Sequence, residues 1–354
     1  MKGVIEMKIT QNIFDYATSE LSQDAVICWI LSFYNDKNSK LYNLAKDLLS
    51  SLIELTPDDD IIGMEKQFYK TDILIHLPKT QRVIIIEDKV YSSEHDEQIS
   101  KYEELISKDK NYKNCKIYIV YFKTGFYYDN DKLIEYKCKN KFNNFKSIHG
   151  EDFLAILQKY KNVDATLDMY IEYLDNLIKW YDTYGKFYNK NDNGDFNISK
   201  EYIAQYNLMR EIFPEDKWKK NEESRLYMIY SGSSFGRPWT EMKIIKGIDD
   251  HAVFWRIDTD SKGPYLSLRY YNKYKDSEHS KHVAEYHKYF ECAKKACGES
   301  EYCEVGKQEN YFEATLLHIH INDILANWNS DGSEFIDEIR NITNEFISMV
   351  NNQK

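Results

Sequence analysis

The fold of this chain follows from residues 72–90, DILIHLPKTQRVIIIEDKV. Two apolar runs flank Pro78-Lys79-Thr80-Gln81, so the stretch predicts two antiparallel strands joined by a turn. Residues 83–86 are apolar on both faces, which is typical of a central strand in a sheet covered by helices on both sides. Charged Glu87-Asp88-Lys89 follows directly, and ionisable groups at the end of a buried strand are costly unless they are paired.

Helical and strand patterns alternate around this stretch. Helical segments at 21–34 and 41–55 and a strand at 61–69 precede it, and an amphipathic helix at 94–107 and a strand at 116–122 follow. The predicted order is helix, three strands, helix, strand, in an α/β domain.

A second domain is predicted towards the end of the chain. Residues 189–197 are polar and rich in turn formers, as in a linker. We therefore predict one domain over 1–188 and another over 198–354. The second is an α+β domain with an antiparallel sheet, because its strand-like runs at 240–245, 252–257, 265–271 and 313–321 are mixed with helical segments.

The composition excludes some classes of protein. A formal net charge of -11 argues against a protein whose main task is to coat nucleic acid, although residues 108–146 carry a local excess of lysine. That excess fits a solvated surface or an edge that follows a phosphate backbone. No apolar run is long enough for a membrane span, and six scattered cysteines read as free thiols, so we expect a cytoplasmic protein.

The candidate chemistry lies where the two strands of the hairpin meet. Side chains alternate along a strand, so Glu87 and Lys89 share a face, and the antiparallel partner brings Asp72 beside them. Carboxylates hold hard divalent cations, and a fixed ammonium stabilises charge that develops on a phosphate. A salt-bridge cluster at the strand ends is the structural alternative.

At these residues the sequence resembles the PD-(D/E)XK nuclease superfamily. The resemblance rests on Asp72 in Tyr69-Lys70-Thr71-Asp72-Ile73, on Glu87-Asp88-Lys89 as the E-x-K element, and on Gln98-Ile99-Ser100-Lys101-Tyr102 as the Q-x-x-x-Y element of RecB-like members. It covers residues 12–125, and extends less firmly to 185. Thr71 stands where a literal Pro-Asp motif has proline.

The resemblance implies a restriction-endonuclease-like core and roles for individual residues. Asp72, Glu87 and the carbonyl of Asp88 would bind Mg²⁺, for which Mn²⁺ could substitute, and Lys89 would lie next to the reactive water. Glu20 matches an acidic residue of the first helix that binds metal or holds a ligand in place. Gln98 and Tyr102 would contact a phosphate or steady Lys89.

The implied function is a Mg²⁺-dependent endonuclease, with DNA favoured over RNA and a homodimer as a weaker expectation. Members of the superfamily serve restriction, repair, mobile elements and phage defence, and the sequence does not choose among these roles. Two alternatives stay open: a non-catalytic binding or scaffold protein that keeps the nuclease fold, and an RNase that uses the same site.

A zinc site is not expected in the second domain. His318 and His320 share one face of a predicted strand, and further histidines and cysteines lie upstream. Their spacings match no recurrent zinc-binding pattern.

Overall fold

The structure is a computed structural model that describes residues 11–16, 20–90, 98–221, 225–234, 237–246, 252–271, 279–306 and 313–352. At residues 20, 233–234 and 279–283 only the backbone is described. The chain divides into two compact units, Met1–Trp180 and Tyr181–Lys354. Within the described part of the chain, no helix has the length and apolarity that crossing a membrane requires.

The first unit is built on a five-stranded mixed sheet in the order β1-β2-β3-β4-β5. Its strands are β1 (Gly63–Lys66), β2 (Ile73–Leu77), β3 (Arg82–Lys89), β4 (Lys116–Lys123) and β5 (Phe145–His149). β2 and β3 pair antiparallel, while β3, β4 and β5 run parallel to one another. β3 therefore lies at the centre, as its apolar run predicts, and the α/β fold class is confirmed.

Helices cover both faces of this sheet. They are α1 (Glu20–Ser32), α2 (Tyr42–Leu52), α3 (Gln98–Lys108), α4 (Asp129–Lys141), α5 (Gly150–Gln158) and α6 (Ala165–Tyr184). Ile84 and Ile86 of β3 are buried in the cluster that contains residues of α1, α2, α5 and α6. Val83 and Ile85 are buried on the opposite face with Tyr102 and Ile106 of α3. Both faces of β3 are thus buried, which explains the absence of polar alternation along it.

Two elements of this unit differ from the sequence prediction. The strand predicted over 61–69 is only Gly63–Lys66, because Gln67, Tyr69 and Lys70 adopt positive φ angles that end it. Helix α4 was not predicted, since its lysines and acids obscure the apolar face formed by Leu133, Ile134 and Cys138.

The second unit contains a six-stranded sheet in the order β10-β11-β9-β8-β7-β6, with antiparallel pairing throughout. The strands are β6 (Ile229–Ser234), β7 (Arg237–Lys246), β8 (Ala252–Asp260), β9 (Gly263–Tyr271), β10 (Glu304–Val305) and β11 (Glu313–His320). The helices are α7 (Tyr202–Ile212), α8 (His279–Cys297), α9 (Asn322–Ala326) and α10 (Trp328–Asn352). The predicted α+β architecture with an antiparallel sheet is confirmed.

One face of this sheet packs against helices, and the other carries polar side chains. On the helical side, Trp255 is fully buried and its indole N–H donates to Thr343 Oγ1 of α10 at 2.9 Å. On the other side, Arg256 lies over the ring of Trp239 and pairs with Asp258. The alternation of buried and half-buried residues along β9 follows from this arrangement.

The segment predicted as a linker is a short ordered turn that lies in the second unit. Asn191 N donates to Asp195 O at 2.8 Å, and Lys190 and Phe196 form an isolated bridge. The predicted domain limits, 1–188 and 198–354, remain a prediction.

Candidate active site

Asp72, Glu87 and Lys89 come together at one end of the β2–β3 hairpin. The pairing of Ile73 with Ile86 places Asp72, the residue before β2, opposite the end of β3. Lys89 Nζ lies 2.6 Å from Glu87 Oε1, 3.4 Å from Asp72 Oδ2 and 3.0 Å from the carbonyl oxygen of Asp88. One positive charge is therefore surrounded by the three oxygens that the sequence analysis named as metal ligands.

These groups differ in how far they are open to solvent. The side chains of Glu87 and Lys89 are 1% and 9% exposed, whereas that of Asp72 is 28% exposed. Asp72 Oδ2 also accepts a hydrogen bond from the backbone N–H of Asp88 at 2.8 Å, which fixes its position against β3. A solute therefore reaches the cluster from the side of Asp72.

A second polar network lies on the opposite face of β3, and its residues were not predicted as part of the site. Gln23 of α1 donates to Asp88 Oδ1 at 2.5 Å and accepts hydrogen bonds from Thr124 Oγ1 at 2.5 Å and Tyr170 OH at 3.1 Å. The amide of Gln23 thus joins α1, the strand that carries the E-x-K element, the end of β4 and α6.

Asp24, also in α1, extends this network towards Asp72. Its carboxyl lies close enough to that of Asp88 for the two charges to interact, and its Oδ2 lies 3.7 Å from Lys66 Nζ. Asp24 is only 2% exposed and directly precedes the apolar run of residues 25–31. An acid that adjoins an apolar helical run is the sequence signal that could have identified it.

Burial controls the ionisation of the two carboxyls. Desolvation raises the pKa of Asp88 well above its usual range, and the charge of Asp24 adds to the shift. Burial, followed by the charge of Asp72, also raises the pKa of Asp24. Both carboxyls therefore hold a proton more tightly than an exposed aspartate does.

The backbone that leads into Asp72 is strained. Gln67, Tyr69 and Lys70 have φ angles of 55°, 51° and 69°, in the left-handed region that non-glycine residues rarely adopt. Hydrogen bonds from Gln67 N to Asp72 O and from Thr71 N to Phe68 O hold this turn. The strained turn determines where β2 begins, and so where Asp72 lies.

The remaining predicted site residues lie on two helices. Glu20 begins α1, one helical turn before Asp24, and its side chain lies outside the described residues. Gln98 begins α3 and is half-buried, and Tyr102, one turn later, packs on Leu74, Val83 and Ile85. Tyr102 therefore lies on the same face of the sheet as Glu87 and Lys89.

A second buried lysine lies on the neighbouring strand. Lys123 of β4 is paired in register with Lys89 of β3, is 1% exposed, and donates to the carbonyl oxygen of Val90 at 3.1 Å. Its ammonium also lies 4.0 Å from Asp131 Oδ1. Lys123 belongs to the lysine excess of residues 108–146, and nothing in its local sequence marks it as buried.

The oxygen donors of the cluster suit a hard divalent cation. Two carboxylate oxygens and a backbone carbonyl oxygen lie within 3.4 Å of Lys89 Nζ, and buried strand β3 carries two of these three oxygens. The carboxyl of Asp24 lies close enough to Asp72 for the two groups to interact electrostatically. Such oxygen donors beside an ammonium can bind a divalent ion and support the attack of water on a phosphodiester.

Comparison with known proteins agrees with this geometry. The model of one family, described as a PD-(D/E)XK nuclease superfamily family, matches residues 11–204. Searches of curated proteins and of solved structures each returned no match. The matched residues span more than half of the chain and include the hairpin, the cluster and the network behind it, and the chain belongs to the PD-(D/E)XK nuclease superfamily.

Proposed function

We propose that this protein is a Mg²⁺-dependent nuclease that hydrolyses phosphodiester bonds in DNA at the cluster of Asp72, Glu87 and Lys89. The observation that carries the proposal is the convergence of three oxygen ligands within 3.4 Å of a single ammonium. Membership of a nuclease superfamily supports the general class of reaction.

Asp72, Glu87 and the carbonyl of Asp88 would hold the ion, and Glu20 is a further candidate ligand. Bound Mg²⁺ would neutralise charge on the phosphate and lower the pKa of a coordinated water. Lys89 would orient the attacking water and stabilise the charge that builds on the phosphate oxygens. Glu87, which already pairs with Lys89 at 2.6 Å, keeps that ammonium in place.

The protein would bring a polyanion to this cluster through its lysines. Of the ten lysines between residues 108 and 146, eight are exposed: Lys108, Lys110, Lys113, Lys116, Lys137, Lys139, Lys141 and Lys146. Contacts between lysines and phosphates make binding salt-dependent. For duplex DNA, the logarithm of the binding constant falls by about 0.9 per contact for each tenfold rise in salt concentration. A steep fall in DNA affinity with salt would support this role of the lysine-rich surface.

Cleavage of supercoiled plasmid in Mg²⁺ tests the activity directly. Lys89→Ala should lower the rate by about 100-fold or more, because a charge that stabilises the transition state is lost. Lys179→Ala is the matched control, since Lys179 is an exposed partner of Asp175 on α6, outside the lysine-rich surface, and this variant should cleave as the wild type does. Activity that survives Lys89→Ala in a folded protein would contradict the assignment.

The open alternatives are separated by substrate and by metal binding. Matched DNA and RNA oligonucleotides distinguish a DNase from an RNase, and DNA cleavage alone is the expected result. Calorimetry with Mg²⁺ or Mn²⁺ should give binding that Asp72→Ala weakens; no binding, or binding that Asp72→Ala leaves unchanged, would favour a non-catalytic scaffold. Light scattering tests the expected homodimer.

A further inference from the structure

The second unit holds a cluster of metal-ligating side chains that is separate from the carboxylates of the first unit. His318 and His320 project from the same face of β11, and Asp260 lies at the end of β8, where the chain turns into β9. One ligand atom from each of the three residues lies within 4.8 Å of the other two. Residues 58 positions apart in sequence therefore meet at one end of the sheet.

The two imidazoles have the spacing of ligands on a single ion. His318 Nε2 and His320 Nε2 are 3.2 Å apart, and the ring centroids are 4.6 Å apart at 77°. With Zn–N bonds of about 2.0–2.1 Å and tetrahedral angles, two nitrogens on one zinc ion would be about 3.3 Å apart. The observed spacing thus needs little adjustment for both nitrogens to bind the same metal.

The third residue is fixed by its own turn. Asp260 Oδ1 accepts a hydrogen bond from Lys262 N at 2.7 Å, which leaves the second carboxylate oxygen for a ligand. The side chain of Asn322, which follows β11, donates to the carbonyl oxygen of Lys262 and so ties this turn to the end of that strand. The ring of Tyr265 packs against His318 with centroids 4.6 Å apart and restricts its orientation.

We propose that Asp260, His318 and His320 form a binding site for Zn²⁺ or a similar transition-metal ion. Two imidazoles and one carboxylate are the donors that zinc prefers, whereas Mg²⁺ prefers oxygen ligands alone. Three protein ligands leave a fourth position for water or an outside ligand. The bound ion would join the ends of β8 and β11 across β9 and stabilise the folded second unit.

This site could not be recognised from the sequence. Along the chain, the metal-ligating residues nearest to His318 and His320 include upstream histidines and cysteines, whose spacings match no zinc-binding pattern. The third ligand comes instead from the β8–β9 turn, because the antiparallel pairing of β9 with both β8 and β11 brings that turn beside His320.

Zinc content after dialysis tests the proposal. Full-length protein is stripped with a chelator, dialysed against Zn²⁺ in excess Mg²⁺, which competes for the carboxylates of the first unit, and measured by mass spectrometry of the metal. We expect one zinc per chain in the wild type, none in His320→Gln, and one in His287→Ala, a control histidine in α8. Zinc should also raise the melting temperature of the wild type and leave that of His320→Gln unchanged.

A more conservative variant shows whether a loss of zinc binding is caused by misfolding. Asp260→Asn keeps an oxygen acceptor for Lys262 N and replaces the charged second oxygen with an amide nitrogen, and it should weaken zinc binding by about tenfold or more. Substituting Co²⁺ for Zn²⁺ gives a second readout, since the intense visible absorption of four-coordinate Co²⁺ should be present in the wild type and absent in His320→Gln. A wild type without zinc, or either variant binding zinc as tightly as the wild type, would overturn the proposal.

Discussion

Replacing Gln23 should lower the free energy of unfolding of the first unit by more than the loss of one hydrogen bond within α1 would. Its amide makes three buried hydrogen bonds, with Asp88, Thr124 and Tyr170, and is itself 3% exposed. Gln23→Ala would remove all three bonds and leave the partner groups buried without them. A buried group that loses its hydrogen bond costs about 1–3 kcal/mol, so we expect a loss of about 3–5 kcal/mol.

That loss is large against the roughly 5–15 kcal/mol that stabilises a typical domain. Tyr170→Phe removes one of the bonds and keeps the ring contacts with Phe14 and Phe153, so it should cost about 1 kcal/mol. Ser51→Ala is the control for loss of a single bond, because Ser51 Oγ donates only to Leu48 O at the half-exposed end of α2. It should cost about 0.5 kcal/mol.

Equilibrium urea denaturation followed by circular dichroism measures these changes, and pulsed hydrogen exchange with mass spectrometry assigns the transition to peptides of the first unit. The double variant Gln23→Ala/Tyr170→Phe should lose about 1 kcal/mol less than the sum of the single losses. The reason is that Gln23→Ala by itself already removes the hydrogen bond between the Tyr170 hydroxyl and Gln23. A loss below about 1 kcal/mol for Gln23→Ala, or strict additivity, would refute the network.

Three further predictions concern backbone space, buried charge and strain. In Gly150→Ala the new Cβ would lie 2.5 Å from the backbone oxygen of Thr124 and should cost about 1–3 kcal/mol in thermal denaturation, whereas Gly63→Ala, with nothing within 4 Å, should cost none. Burial raises the pKa of Glu241 above its ordinary value of 4.5, so the folded state holds the proton more tightly and loses stability as pH rises through the folded pKa. Urea denaturation of Glu241→Gln at acidic and neutral pH should show a smaller loss with rising pH than the wild type, and an equal loss would contradict this. Lys70→Gly relieves a φ of 69° and should raise the free energy of unfolding by up to about 1 kcal/mol, while the same change at exposed Lys46, inside α2, should lower it by about 1 kcal/mol; a destabilised Lys70→Gly would argue against strain.

The order of elements in the first unit was predictable because its central hairpin has strong local signals. A turn at 78–81 between two apolar runs fixes the register of β2 and β3, and that register alone brings Asp72 next to Glu87 and Lys89. Helix α4 lacked such a signal, because its apolar residues are few and lie among charged ones.

The polar network on the face of β3 opposite Glu87 and Lys89 was not predictable for a different reason. Gln23, Thr124 and Tyr170 are distant in sequence, and each is an ordinary polar residue in its own segment. They become a network only because α1, the end of β4 and α6 pack around the same point of β3. The burial of Lys123 was not predictable for the same reason, since it depends on the neighbouring strand and on Asp131.

The sequence by itself therefore determined the hairpin, its charged end and the resemblance to the nuclease superfamily, because strand alternation and turn chemistry are local properties of residues 72–90. Tertiary structure decided which distant side chains surround that end: the Gln23 and Asp24 network in the first unit, and the meeting of Asp260 with His318 and His320 in the second. Such contacts depend on how separate elements pack and pair. No short segment of the chain encodes them alone.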